Sequence, residues 1–171
     1  MSHHPLVNLA RAAIAAYVRT GRVLEPPSDL PPDLPERAAV FVTLHTPTGE
    51  LRGCIGTIAP TEPTLAEQVI QEAIAAATMD PRFPPVTPEE VEDLDIHVDI
   101  LSPPEPVDSP AELDPKKYGV IVEAGRRRGL LLPDIPGVDT VETQLMFARR
   151  KAGIGPHDPV RLSRFTVTRL T

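Results

Sequence analysis

The sequence predicts an α+β fold with a mainly antiparallel sheet flanked by helices. Three observations carry that class. Strand-like stretches come as hairpins and singles, helical patterns lie between them, and no regular strand–helix–strand repeat runs along the 171 residues.

In chain order, residues 5–20 read as an amphipathic helix. Leu6, Leu9, Ala10, Ala13, Ile14, Tyr17 and Val18 recur at helical spacing, and Gly21 is placed to end it. Residues 22–37 hold Pro26, Pro27, Pro31, Pro32 and Pro35, which argue for an extended loop. Residues 38–46 and 50–58 alternate as strands, with Thr46-Pro47-Thr48-Gly49 as the turn. A two-residue loop at Thr48-Gly49 sets His45 opposite Arg52 and Thr43 opposite Cys54, with His45 diagonal to the thiol. A four-residue loop pairs Phe41 with Cys54 instead, and the sequence leaves both registers open.

Thr64-Leu65-Ala66-Glu67 forms a capping box, with Thr61 as a rival cap, and starts a helix running to Met79. Asp80-Pro81 stops it, because proline disfavours helix in the residue before it. Thr87-Pro88-Glu89-Glu90 opens a short helical turn, and Leu94–Leu101 is a strand with Leu94, Ile96, Val98 and Ile100 inward. Residues 103–117 are proline-rich, with a turn at Ser109-Pro110. Tyr118–Glu123 and Gly129–Leu132 form a second hairpin around Gly125-Arg126-Arg127-Arg128. Asp139-Thr140-Val141-Glu142 starts a helix that Gly153 ends after Ala152, and Val160–Leu170 is the last strand.

Composition bounds the function. A hydrophobic fraction of 41% supports one core, and aromatics at 4% make that core aliphatic. A net charge of -7 argues against non-specific binding to nucleic acid or to an anionic membrane. One cysteine forms no internal disulfide, and no apolar run resembles a signal peptide or a membrane span, so the expected location is the cytoplasm.

The most informative stretch is Leu51-Arg52-Gly53-Cys54-Ile55-Gly56-Thr57-Ile58, which carries the only cysteine. Glycine inside a strand marks a bulge or a close approach by other backbone or a ligand. Alternation puts Arg52, Cys54 and Gly56 on one face. A guanidinium two residues from a thiol lowers its pKa and favours the reactive thiolate. The competing reading is a small, buried, unreactive cysteine in a tightly packed sheet.

LRGCIGTI resembles the signature hexapeptide, with its extension, of the AMMECR family, also called AmmeMemoRadiSam system protein A. Asp80-Pro81-Arg82-Phe83-Pro84-Pro85-Val86, Leu94-Asp95-Ile96, Gly129-Leu130-Leu131-Leu132-Pro133 and Lys151-Ala152-Gly153-Ile154 follow in family order. The resemblance covers nearly the whole chain and implies one AMMECR-like domain over 1–171. It implies a larger helix-flanked sheet subdomain, a smaller subdomain, and a cleft between them near the hexapeptide. It supplies no established reaction.

The candidate binding residues are Arg52, Gly53, Cys54, Gly56, Asp80 and Arg82, with Cys54 the candidate catalytic group. Asp80 with Arg82 reads either as a structural ion pair or as a ligand-facing one. His45 is a candidate base for Cys54 if the register allows. His97 and Asp99 share a strand face with Asp95, but two or three such groups make no metal site without convergent partners, so no metal or cofactor is expected and the face reads as solvated. Arg126-Arg127-Arg128 reads as a solvated turn.

Three functions compete. The first is a module that binds an unknown small molecule or protein near the hexapeptide, working, as the resemblance implies, with Memo-like and radical-SAM proteins. The second is an enzyme with Cys54 and Arg52 in its cleft, and the third is a scaffold with a buried Cys54. Whether the chain is catalytic, its ligand and its oligomeric state are not legible in the sequence.

Overall fold

The computed structural model describes residues 2–171. The chain divides into two compact units. One runs to Leu101 and adds Thr168–Thr171; the other is Ser102–Val167. Each has its own four-stranded sheet and apolar core, and the described strand pairs are antiparallel, so the fold is α+β.

In the first unit, helix α1 spans Pro5–Thr20. His4 caps it, its Nδ1 accepting from the Leu6 N–H at 3.1 Å, and Gly21 closes it at φ 71°, a left-handed conformation that glycine adopts without strain. Strands β1 (Val40–His45) and β2 (Leu51–Gly56) form the first hairpin, and β3 is Asp95–Leu101. Helix α2 (Leu65–Thr78) starts at Thr64 through the predicted capping box with Glu67. The last strand, β8 (Val167–Leu170), completes a sheet of order β2-β1-β3-β8. Period-two alternation sends Val40, Val42 and Leu44 of β1, and Ile96, Val98 and Ile100 of β3, into the core with α1 and α2. Phe41, Thr43, His45, Cys54, His97 and Asp99 therefore share the opposite face.

In the second unit, β4 (Glu105–Val107), β5 (Gly119–Ala124), β6 (Arg127–Leu131) and β7 (Arg161–Phe165) form a sheet of order β4-β7-β5-β6. Helix α3 (Val141–Ala152) is capped by the Thr140 side chain and ended by Gly153 at φ 67°.

Three details depart from the sequence reading. The proline-rich 103–117 stretch contains β4; Pro106, which cannot donate to a ladder, is accommodated because β4 is an edge strand. The strand expected over 160–170 is two strands, β7 and β8, which break at Thr166 and join different sheets. The second hairpin turns at Gly125-Arg126, so Arg127 and Arg128 belong to β6; Arg127 donates to the Gly153 carbonyl at 2.7 Å, and Arg128 reaches Glu123 at 3.6 Å.

Candidate functional site

The hexapeptide is β2, an edge strand. Its register sets Thr43 opposite Cys54 and Phe41 opposite Gly56, and a bulge between Leu44 and His45 then pairs His45 with Leu51. The two-residue-loop register is thus right at Thr43 and wrong at His45, because one extra residue in β2 shifts the pairing. The β1–β3 register, with Thr43 opposite His97 and His45 opposite Asp95, sets His45 diagonally beside another imidazole: its ring lies 5.5 Å from that of His97, centroid to centroid. His97 Nε2 is 3.4 Å from Asp95. The immediate partner of the thiol is Thr43, with Oγ1 and Cys54 Sγ 3.3 Å apart.

Four of the six candidate residues have structural duties. Gly53 is buried, and a β-carbon there would collide with the Ala76 carbonyl oxygen of α2, so its lack of a side chain is what lets the helix cross the strand. Gly56 lies against the Phe41 ring, which a β-carbon would overlap. Arg52 is saturated. Its Nε and one terminal nitrogen grip the Glu90 carboxylate at 2.9 and 3.2 Å, and its terminal nitrogens donate to the Pro84 and Pro85 carbonyls at 2.8 and 3.3 Å. Only 11% of that side chain is exposed. Glu90, held in turn by the Thr87 N–H, has its carboxyl pulled below the ordinary range chiefly by Arg52.

Asp80 is the hinge between the two sequence motifs. An edge strand leaves alternate backbone N–H groups unpaired, and Asp80 Oδ2 accepts that of Cys54 at 3.0 Å. Its two oxygens also accept from the Arg82 N–H, Nε and one terminal nitrogen at 3.1, 3.0 and 2.8 Å. Asp80 is 4% exposed, and the Arg82 contacts, with the Cys54 N–H, hold its carboxyl far below the usual carboxylate range.

Arg82 differs from Arg52 in what remains open. Asp80 occupies the side of its guanidinium formed by Nε and one terminal nitrogen. The end-on fork, through Nη1, makes no hydrogen bond among the described residues, and 55% of the side chain is exposed. The Phe83 ring lies 5.4 Å from the guanidinium carbon. Arg82 is also the cation whose field favours the Cys54 thiolate.

The thiol is half-buried. Burial pushes its pKa above the ordinary value; Thr43 and Arg82 pull it down, and Asp99 and Asp80 add to the rise. The expectation of a thiolate favoured by Arg52 is therefore corrected: that guanidinium is bound to Glu90 and the 84–85 carbonyls, and desolvation dominates.

The face around Asp99 also departs from expectation. Asp99 is fully buried and gripped by Arg169 of β8 at 2.8 and 2.9 Å, so this part of β3 is no solvated surface. Arg169 was not a sequence candidate, since nothing local to it announces a partner seventy positions away. Among the described residues no group of three or more His, Cys, Asp or Glu side chains could hold a metal ion, and no helix is long and apolar enough to cross a membrane.

Comparisons with known proteins agree with this assembly of motifs. The AMMECR1 family model matches residues 7–170. A protein of Thermotoga maritima is 60% identical over 171 residues, which cover 99% of this chain and 98% of that one. Protein CA_C1420 of Clostridium acetobutylicum is 46% identical over 170 residues, covering 96% of this chain but 35% of its own length. The chain thus spans about a third of that relative. The crystal structure of the uncharacterised protein PH0010 from Pyrococcus horikoshii is similar with a TM-score of 0.87 and 41% identity, over 96% of this chain and 88% of that one.

Proposed function

The chain belongs to the AMMECR1 family, and on that premise we propose that it is a binding module. It takes an anionic group, from a small molecule or an acidic partner segment, on the β2 face beside Cys54. It works alongside Memo-like and radical-SAM proteins.

The observation that carries this reading is the Arg82 guanidinium, fixed on one side by buried Asp80 and open on the other, next to a half-buried thiol. A guanidinium held in place loses little freedom when its remaining fork grips a carboxylate or phosphate. A thiol whose pKa is raised by burial stays protonated at neutral pH, which favours a hydrogen-bonding or packing role over a standing nucleophile. The thiol has Thr43 as its hydrogen-bond partner, and the ring beside His45 is that of His97, which disfavours the enzyme reading. The partner half of the proposal is supported by the family resemblance and by the Clostridium relative, in which such a chain is part of a longer protein.

The test uses two alkylating reagents of similar size, anionic iodoacetate and neutral iodoacetamide. The iodoacetate-to-iodoacetamide rate ratio at Cys54 should exceed that of glutathione by about threefold, the scale of an exposed ion pair. Arg82→Gln should bring it to the glutathione value, while Arg126→Gln, a control for net charge, should not. A wild-type ratio equal to that of glutathione sinks the anion site. Co-expression with the Memo-like and radical-SAM proteins tests the other half: the tagged chain should retain at least one of them, and Arg82→Glu should release it.

A further inference from the structure

The first unit has a concavity on the helix-covered side of its sheet. It is a groove of about 600 Å³ between the end of α1, the 23–26 segment and α2. That size is typical of small-molecule sites, roughly 300–1,000 Å³. Tyr17, Ile70 and Ile74 supply its apolar wall. Its charged lining is of one sign: Glu25, Glu62 and Glu67 border it, and among the described residues no lysine, arginine or histidine does.

These carboxylates are not equivalent. Glu67 is held by the Thr64 N–H and hydroxyl at 3.1 and 3.0 Å in the α2 capping box. Glu25 and Glu62 make no side-chain hydrogen bond or ion pair among the described residues, and Glu62 is half-buried. Behind Glu62 lies Glu72, a fully enclosed carboxyl of α2 that donor Gln68 Nε2 reaches at 2.9 Å. Glu62 acts on Glu72 electrostatically, adding to the burial that pushes the Glu72 carboxyl up. An apolar trough rimmed by unpaired anions, with a further acid behind the rim, is complementary to a molecule that is apolar along its length and cationic at one end.

We propose that this groove binds a lipophilic amine of low molecular mass, its hydrocarbon along Ile70, Ile74 and Tyr17 and its ammonium at Glu62. This site shares no lining residue with the anion site at Arg82.

Octylammonium, octanol and octanoate share one tail and differ in head charge, which makes them the probes. Binding is followed by NMR shifts of the Ile70 and Ile74 methyl groups. Octylammonium should bind tightest and octanoate weakest. Glu62→Gln should weaken octylammonium by about threefold, the scale of a partly exposed ion pair, and leave octanol unchanged. Ile74→Trp should block octylammonium and octanol alike; if that variant unfolds, the Glu62→Gln comparison stands on its own. Equal binding of the three probes, an unchanged octylammonium affinity in Glu62→Gln, or no binding by any of them overturns the proposal. So does binding of a lysine-bearing peptide to a groove that refuses octylammonium. Loss of the iodoacetate preference at Cys54 would bear only on the other site.

Discussion

Both units lay a helix across the edge strand of a four-stranded sheet, and both do so over a glycine. In the first, Gly53 of β2 leaves room for the Ala76 carbonyl of α2; in the second, Gly129 of β6 leaves room for the Ala148 carbonyl of α3. Each sheet also seats a phenylalanine ring on a cross-strand glycine, Phe41 on Gly56 and Phe165 on Gly119. Each edge is then closed by a charged side chain from the end of its helix. The difference is in sign. Lys151, in the last turn of α3, donates to the Leu130 carbonyl at 2.9 Å, whereas Asp80, after α2, accepts the Cys54 N–H at 3.0 Å. An acid on the edge has lone pairs left over, and these hold Arg82 in place. The same packing device thus closes an edge in one unit, and in the other also fixes a cation beside a thiol.

The largest effect should come from filling the two crossings. Gly53→Ala and Gly129→Ala each push a β-carbon into a helix carbonyl, a backbone atom that moves only with its helix. Each should lower unfolding free energy in urea by about 2 kcal/mol or more. Gly53→Ala should also speed Cys54 alkylation, and Gly129→Ala should not. Acceleration in both would mean that the two units unfold as one.

The two edge closures should separate next. Asp80→Asn removes a buried charge that binds a guanidinium and should cost roughly 2–3 kcal/mol at neutral pH. Lys151→Met should cost less than about 1 kcal/mol. Because the folded pKa of Asp80 is depressed, its stabilisation is present above the unfolded value of about 3.9 and is lost as pH falls through the folded one. The gap between wild type and Asp80→Asn should therefore begin to narrow only below about pH 4 and close as pH falls through the folded value. A gap that persists in acid would place the effect in packing.

The smallest effect compares what the two helices bury. α3 encloses the neutral amide Gln144, which donates to the Tyr118 carbonyl at 2.9 Å; α2 encloses Glu72. The Glu72 carboxyl is pushed up by burial, so its favourable contribution is present below the unfolded value of about 4.3 and is lost as pH rises through the folded value. Glu72→Gln keeps an acceptor for Gln68 and should match or exceed wild type at pH 7 by up to about 1 kcal/mol. That advantage should vanish near pH 4. A clear loss at pH 7 would mean that the ionised carboxylate has a partner worth keeping.

Sequence alone determined the local choices: the α1 stripe, the Thr64–Glu67 box, the glycine stops at Gly21 and Gly153, the inward Val and Ile of β1 and β3, and the family. Each depends on residues a few positions apart or on side-chain period, which a linear reading sees directly. It also marked the hexapeptide and the Asp80–Arg82 loop as belonging together in importance. Only the tertiary structure decided what each motif residue does. Arg52 and Arg82 are equivalent as letters, yet one is saturated by Glu90 and two carbonyls while the other keeps a free fork. A one-residue bulge paired His45 with Leu51 instead of Arg52, and a strand from the far end of the chain brought Arg169 to Asp99. The thiol shows the reason most plainly. Its pKa balances desolvation against nearby charges, and both terms are set by which distant atoms surround the sulfur, not by which residues precede and follow it.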